Sequence, residues 1–350
     1  MWLLKIILFP FSLIYGGVMF IRNKLFDFNI LKSKSTSTPT ICVGNLSVGG
    51  TGKTPHIEYL IRLLQSEFNI ATLSRGYGRK TKGFILAENH GPDLIGDEPA
   101  QFQHKFKNIK VSVCEDRHNG VSSLIKIDPS LDCVLLDDAF QHRKLNCGLN
   151  ILITDYSKPI FKDFPLPSGR LREFRSGRKR ADAVIVSKCP DDIDEKKMLS
   201  YKRKLTTKNN LPVFFSKIVY QNPISLFDVK DPITSLIELS SVLLVTGIAN
   251  PRPLEKKMEG LGIKHGHVKF PDHHEFKDDE INMIKDFYGD GKMFDIILTT
   301  EKDAMRLKQH ENKLNQLPIY YLPIGIAFVK QEEEFNNMIF KYVRENTRNR

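Results

Sequence analysis

VGNLSVGGTGKTP, residues 43–55, follows the short apolar run Thr40 to Val43 and leads into a segment whose Ile57, Leu60, Ile61, Leu64 and Phe68 recur at helical spacing. A strand that ends in a glycine-rich turn and opens a helix is the setting of a phosphate-binding loop, where backbone N–H groups and the helix N-terminus converge on phosphate oxygens. Gly49, Gly50 and Gly52 allow close backbone approach, with Ser47, Val48 and Thr51 completing the turn. Lys53 is placed to neutralise the β- and γ-phosphates, and the Thr54 hydroxyl to bind Mg²⁺. Pro55 suits a first helical turn, where its missing N–H costs nothing. The pattern G-x-x-x-x-G-K-[ST] is missed at its first letter, where Ser47 stands. A plain turn with a surface lysine is the alternative, and the agreement of strand, turn, Gly-Lys-Thr and helix speaks against it.

A second apolar run, Cys133 to Leu136, ends in Asp137 and Asp138. Carboxylates at the end of a strand beside the loop-bearing strand hold the metal or its water; alone, such a pair can simply cap a turn. Together the two motifs imply binding of ATP or GTP with Mg²⁺ and leave the fate of the γ-phosphate open.

Further runs at Ile70 to Leu73, Lys110 to Val113, Asn150 to Ile153 and Ala183 to Val186 predict buried strands alternating with helices, one of them capped by Asp116. That alternation implies a parallel sheet with helices on both faces. Phe214 to Val219, between Pro212 and Pro223, reads as a connector. Alternation then restarts with Val242 to Val245, a helix opening at Pro251 to Pro253, Asp295 to Leu298, Ile319 to Leu322 and a last helix carrying Phe335, Met338, Ile339 and Val343. The expected class is α/β: an anchor over 1–35, a P-loop NTPase-like lobe over 36–212, a connector over 213–240 and a smaller α/β lobe over 241–350. A chain of 350 residues accommodates two such lobes at roughly 100 to 200 residues per domain.

The anchor is the run Ile6 to Ile21, free of charge and followed by Arg22, Lys24, Lys32 and Lys34. It falls short of the roughly 20 residues of a full crossing and contains Pro10, so a short or tilted span and an embedded hairpin-like anchor are both open, beside a buried core helix. Flanking basic residues favour the cytoplasmic side. No A-x-A-like site follows, which argues against a secretory signal. A formal charge of +11, from 52 basic and 41 acidic residues, points to an anionic partner: nucleic acid, phosphorylated metabolite or membrane. No nucleic-acid recognition module is legible. Five dispersed cysteines form neither a disulfide framework nor a zinc pattern.

Taken in order, SVGGTGKTP, SRGYGR (74–79), GDEP (96–99), DDAFQHR (137–143), LPSGRLRE (166–173), FPDHHEF (270–276) and TTEKDAMRL (299–307) resemble the tetraacyldisaccharide 4'-kinases (LpxK) of lipid A synthesis. Those enzymes also carry the serine-led loop; they usually have glycine where this chain has Ala139. The resemblance implies transfer of the ATP γ-phosphate to the 4'-hydroxyl of a tetraacylated disaccharide 1-phosphate lipid, at the cytoplasmic face of the inner membrane.

It further implies that Asp97 is the catalytic base, with Glu98 near the Mg²⁺ shell, although Asp97 could instead cap a helix over 100–106. His273 would pair with that aspartate across a cleft between the lobes, with Asp272 or His274 as alternatives in an otherwise ordinary surface loop. Arg117, Gln141, His142 and Arg172 would hold the disaccharide lipid. The six cations between Arg170 and Arg180 read either as a solvated basic loop or as a site for the substrate's 1-phosphate or for lipid headgroups. Thr300 and Asp303 have capping spacing and read as structural. Two other classes compete: a membrane-associated P-loop ATPase of the partitioning or targeting kind, and a soluble small-molecule kinase or synthetase, which leaves the apolar N-terminus unexplained.

Overall fold

A computed structural model describes residues 2–88, 90–206, 211–227, 233–272, 274–289 and 293–347. The chain forms two compact units, residues 1–218 with 326–350 and residues 219–325.

Unit 1 opens with α1 (Trp2–Asp27), a single 26-residue helix that runs through Pro10. There follow β1 (Thr40–Asn45), α2 (Lys53–Leu64), β2 (Ile70–Ser74), β3 (Ile85–Leu86), α3 (Pro92–Ile95), α4 (Asp97–Lys105), β4 (Lys110–Val113), α5 (Arg117–Ile127), β5 (Cys133–Asp137), β6 (Leu149–Asp155), β7 (Ala183–Ser187), α6 (Glu195–Leu205) and β8 (Val213–Tyr220). Among the described residues the sheet has nine strands in the order β14-β8-β7-β6-β1-β5-β2-β4-β3, where β14 (Ile324–Lys330) returns from late in the chain. From β4 through to β8 the pairing is parallel, and β3 joins antiparallel at the edge. Strand β1 sits where the order reverses, flanked by β5 and β6, which places its carboxyl end at the ligand crevice of a doubly wound sheet.

Alternate residues of the strands feed two cores. Ile41 and Val43 join Ile57, Leu60 and Ile61 of α2 on one face, while Cys42 joins Val121 and Leu124 of α5 and Tyr201 of α6 on the other. Asp116 caps α5 by accepting from Asn119 N–H, as its position predicts.

Unit 2 contains β9 (Ile224–Ser225), β10 (Ser241–Thr246), α7 (Arg252–Gly260), β11 (Lys264–Lys269), α8 (Asp278–Tyr288), β12 (Ile296–Thr300), α9 (Glu301–Leu307), α10 (Glu311–Leu314) and β13 (Ile319–Leu322). Its described strands run in the order β11-β10-β12-β13-β9, parallel except for β9. Thr300 caps α9, accepting from Asp303 N–H.

The boundaries expected from sequence differ from this division. Residues 213–218 are a strand of the large sheet rather than a connector, and 326–350 belong to unit 1 rather than to the second lobe. The final helix, α11 (Glu332–Thr347), buries Phe335, Ile339 and Val343 in the core that contains α2. Side chains of that size gain roughly 1.5–3 kcal/mol each when fully buried. Polar ties add to it: the Tyr342 hydroxyl donates to Thr40 O at 3.1 Å, and that of Tyr59 to Glu332 at 2.9 Å.

Helix α1 turns an inverted amphipathic pattern to solvent. Leu4, Ile6, Ile7, Phe11, Leu13, Ile14, Val18 and Ile21 are exposed, whereas Ser12, Gly16 and Phe26 are buried against unit 1. Ser168 N–H donates to Ser12 Oγ at 2.8 Å, the Tyr15 hydroxyl to Arg172 O at 3.0 Å, and Asn23 Nδ2 to Glu173 Oε2 at 2.6 Å. A Cβ on Gly16 would lie 2.6 Å from the Phe174 ring, so only glycine lets the helix seat there.

Candidate active site

The loop after β1 is held on three sides. Gly49 and Gly52 adopt left-handed φ of +97° and +89°, and Gly52 caps α2 without any side-chain hydrogen bond, leaving the first-turn N–H groups unclaimed by a capping side chain. A Cβ on Gly49 or Gly50 would point into open space, so the loop mouth is clear for a bulky anion. Beneath it, Asn45 Nδ2 donates to Thr51 Oγ1 at 2.8 Å and Ser187 Oγ to Thr51 O at 2.7 Å. His56 Nδ1 lies 2.6 Å from Gly52 O, and since a carbonyl only accepts, Nδ1 carries the proton; Nε2 then accepts from Ser216 Oγ at 2.9 Å. Burial drops the His56 pKa to about 4, so the ring is neutral and ties the loop to β8. Lys188, at the end of β7, donates to Gly50 O and pairs with Asp155 at 3.2 Å.

Ser47 has no left-handed φ and is buried in a local antiparallel pairing with Leu171. Val48 N–H donates to Arg170 O at 2.8 Å and Arg172 N–H to Leu46 O at 2.6 Å. The LPSGRLRE segment therefore zips onto the phosphate loop, and a serine satisfies a position that needs no glycine.

Strands β1 and β5 are neighbours with Val43 opposite Asp137, which brings both motifs to one end of the sheet. Asp138 takes a left-handed φ of +49°, a conformation aspartate tolerates better than most residues. Ala139 is not in the left-handed region, so the alanine places no strain on the turn. Gly44 is the residue the turn requires: a Cβ there would approach Phe140 Cβ to 2.5 Å.

The two carboxylates have separate fates. Asp138 accepts a bidentate pair from Arg172, 2.9 Å at each oxygen, and lies 3.6 Å from Lys53 Nζ. Burial raises its pKa, but Lys53 and then Arg172 outweigh this and hold it below the ordinary carboxylate value. Asp137 is buried, and its Oδ1 has no hydrogen-bond partner among the described residues. Desolvation pushes its pKa up to about 7, with the charges of Asp138 and Glu98 adding to the shift against Lys53. An orphaned buried carboxylate within reach of the charges of Lys53, Asp138 and Glu98 fits a divalent cation. No cluster of three His, Cys, Asp or Glu among the described residues makes an all-protein cage.

Asp97 is buried as the first residue of α4, and the cap is Gly96, with φ +92° and no side-chain bond. Asp97 therefore does not serve as the cap. Gly76 and Gly96 meet backbone to backbone, since a Cβ on Gly96 would lie 3.0 Å from Tyr77 O and 3.1 Å from Gly76 Cα. This close approach seats SRGYGR on GDEP, and the charge of Glu98 reaches Asp137.

Arg117 is 2% exposed, its Nη1 donating to Cys114 O at 2.6 Å and Nη2 to Asp137 O at 3.3 Å. Gln141 Nε2 donates to Asn45 O at 2.9 Å and Glu173 Oε1 at 3.1 Å, and its Oε1 accepts from Arg172 at 3.3 Å. Burial, then Arg117 and Arg75, lower the His142 pKa to about 4. Lys53, Asp97, Glu98, Asp137 and Asp138 thus share one end of the unit 1 sheet with Arg117, Gln141, His142 and Arg172. His273 lies outside the described residues. Its neighbour His274 pairs with Glu280 at 2.8 Å and stacks on Phe270 at 4.8 Å, which is a structural use of that histidine.

Several residues of this site play parts that the sequence motifs do not announce. His56 bonds the loop from α2 and Lys188 from the end of β7, while Glu173, the last residue of LPSGRLRE, binds Arg180 through both oxygens at 2.7 and 2.9 Å. Arg75 and Arg22 act on His142, and Arg22 also bonds Gln141 O at 3.4 Å. Arg75 stands in SRGYGR directly after β2, and that position is the signal that marks it.

A doubly wound sheet, a glycine-rich loop at its switch point and paired acids at the end of the next strand define a P-loop nucleotide-binding protein. The family model for tetraacyldisaccharide-1-P 4'-kinase (LpxK) matches residues 4–344, and the chain belongs to that family. A tetraacyldisaccharide 4'-kinase of Flavobacterium johnsoniae is 44% identical over 346 residues, covering 98% of each chain. Another, from Bacteroides thetaiotaomicron, is 45% identical over 361 residues, covering 98% of this chain and 94% of its own. In structure the chain is similar to Aquifex aeolicus LpxK, solved in complex with ATP: TM-score 0.78, 29% identity, covering 97% of this chain and 99% of that one.

Proposed function

We propose that this protein uses ATP to phosphorylate the 4'-hydroxyl of tetraacyldisaccharide 1-phosphate, yielding lipid IVA in lipid A synthesis. The observation that carries the proposal is the bracket of Lys53, Asp138 and Arg172 at the phosphate loop, closed by Arg172 from the same 164–174 segment on which the apolar helix α1 is docked. A phosphate-transfer site and a greasy outer face are built from one piece of chain, as an acylated acceptor demands.

Residues 47–54 hold the triphosphate, with Lys53 against its terminal phosphates. Thr54 and Asp137 would hold Mg²⁺, with Glu98 near them, because Asp138 is already engaged by Arg172. When bound, Mg²⁺ neutralises charge on the phosphates. Asp97 accepts the proton of the sugar hydroxyl, since its helix start lies with Glu98 on the side of Asp137. His273 is assigned to tuning that proton transfer on the FPDHHEF resemblance alone. Arg117, Gln141, His142 and Arg172 orient the disaccharide. The protein works at the cytoplasmic leaflet of the inner membrane, with α1 lying in the interface; its polar bonds to unit 1, from Ser12 to Asn23, favour this over a crossing.

Transfer of labelled γ-phosphate from ATP to purified tetraacyldisaccharide 1-phosphate is the direct test. Lys53→Ala and Asp97→Ala are each expected to abolish transfer in folded protein. Turnover like the wild type in either variant removes that residue from the mechanism.

A further inference from the structure

A surface cavity of about 470 Å³ lies away from the phosphate loop, walled by Phe161, Lys162, Arg175, Arg178 and Lys204. A neighbouring hollow of about 380 Å³ shares Lys204 and adds Lys196 and Arg203. No carboxylate lines either hollow, and none pairs with Lys162, Arg175, Arg178 or Lys204 among the described residues. The arginines are instead oriented by backbone: Arg175 Nε donates to Asp163 O at 3.0 Å, and Arg178 to Leu205 O at 3.3 Å and Arg175 O at 3.0 Å. Two guanidinium groups and two ammonium groups are thus gathered without a counter-ion, an arrangement that like-charge repulsion disfavours unless an anion enters. Burial and then Arg175 lower the Arg178 pKa, in keeping with that repulsion.

The cavity adjoins the apolar helix. Arg175 stands over the Phe164 ring at 5.2 Å, and Phe164, itself exposed, meets Phe9 of α1 edge-on at 5.5 Å. Lys204 covers Phe161 at 5.2 Å. A ligand seated here has its charge among the four cations and its acyl chains beside the exposed side of α1.

We propose that this cavity is a binding site for the phosphate headgroup of an anionic leaflet phospholipid, separate from the site that takes the phosphorylated substrate. The inference rests on the placement of α1 in the membrane interface given above. Its occupant is a phosphodiester on a diacyl lipid, because phosphate satisfies the cations and the adjoining apolar face takes the chains.

The test is flotation of the full chain with vesicles of phosphatidylcholine alone and of phosphatidylcholine with phosphatidylglycerol. Wild-type protein is expected to bind the anionic vesicles more tightly. Lys162→Gln with Lys204→Gln, both exposed, should lose that preference by about fivefold for each cation removed, with binding to neutral vesicles unchanged. Lys107→Gln with Lys126→Gln removes the same charge elsewhere on unit 1 and should keep it. Retention of the preference in the first pair, or equal loss in the second, overturns the site. Loss of the preference in the wild type on adding inorganic phosphate at matched ionic strength also overturns it, in favour of a soluble anion. A raised KM for the acceptor in neutral detergent with the first pair overturns it in favour of the substrate's own phosphate. Wild-type protein that floats with neither vesicle overturns this site and the membrane placement together, whereas failure of phosphate transfer alone leaves the vesicle result standing and falls on the kinase assignment.

Discussion

Arg172 grips Asp138 through two parallel 2.9 Å hydrogen bonds while its own N–H donates to Leu46 O at the root of the phosphate loop. One residue therefore fixes the geometry of an acid in the turn after β5 and of the loop after β1. Lys53, 3.6 Å from the same carboxylate, is held short of a direct bond and stays available to an incoming phosphate.

Replacing Arg172 by lysine keeps a positive charge but cannot reproduce the fork. We expect Arg172→Lys to lose about tenfold to a hundredfold in kcat/KM, since Lys53 would then collapse onto Asp138. Steady-state phosphate transfer, with a melting curve to confirm folding, decides it; a variant as active as the wild type would show the fork to be dispensable.

Asp137 predicts a pH dependence of metal binding. If Asp137 holds Mg²⁺ as proposed, the cation needs the carboxylate, and a pKa near 7 means protons compete below neutrality. Affinity for Mg²⁺·ATP should fall by up to about tenfold per unit as pH drops below the folded value. In the metal-free protein the sign reverses: the raised pKa contributes stability below the ordinary value of 3.8 that is lost as pH rises through about 7. Asp137→Asn should therefore weaken metal binding, flatten its pH slope and stabilise the metal-free protein at alkaline pH. Calorimetric titration and melting temperatures across pH read both.

His56 acts in the opposite direction. Its pKa is depressed from 6.5 to about 4, so its contribution is whole above 6.5 and is lost as pH falls through 4. A shift of that size corresponds to at most about 3 kcal/mol. His56→Gln should shallow the fall of melting temperature over this window, while the lost bonds to Gly52 and Ser216 cost roughly 1–3 kcal/mol at neutral pH. An unchanged acid profile would show that His56 is not the group responsible.

Helix α1 can be tested from both faces. Deleting residues 1–21 removes the exposed apolar surface and should shift the protein towards the soluble fraction. Gly16→Leu leaves that surface intact but collides with Phe174, so it should undock the helix and slow phosphate transfer through the 164–174 segment while membrane sedimentation persists. Full sedimentation of the deletion would assign attachment to the basic surface instead.

The phosphate loop, the paired acids, the apolar N-terminal run and the alternating strands of the parallel sheet were legible because each is local: a period, a turn chemistry or a short motif within one segment. Asp116 and Thr300 were found as caps for the same reason. Strand β11, KHGHVK, was missed because no apolar run marks it, and β8 and α11 were assigned outside unit 1 because their pairing and packing partners lie far away in the sequence.

By itself the sequence determined the fold class and the chemistry, since backbone periodicity and the residue types that bind phosphate are properties of neighbours along the chain. Only the tertiary structure decided which aspartate pairs with Arg172 and which keeps an oxygen without a partner among the described residues, why serine suffices at position 47 and which face of α1 is covered. Those answers depend on Arg172, Leu171 and Phe174 arriving from more than a hundred residues away from most of the groups they touch, and on what burial then does to charge.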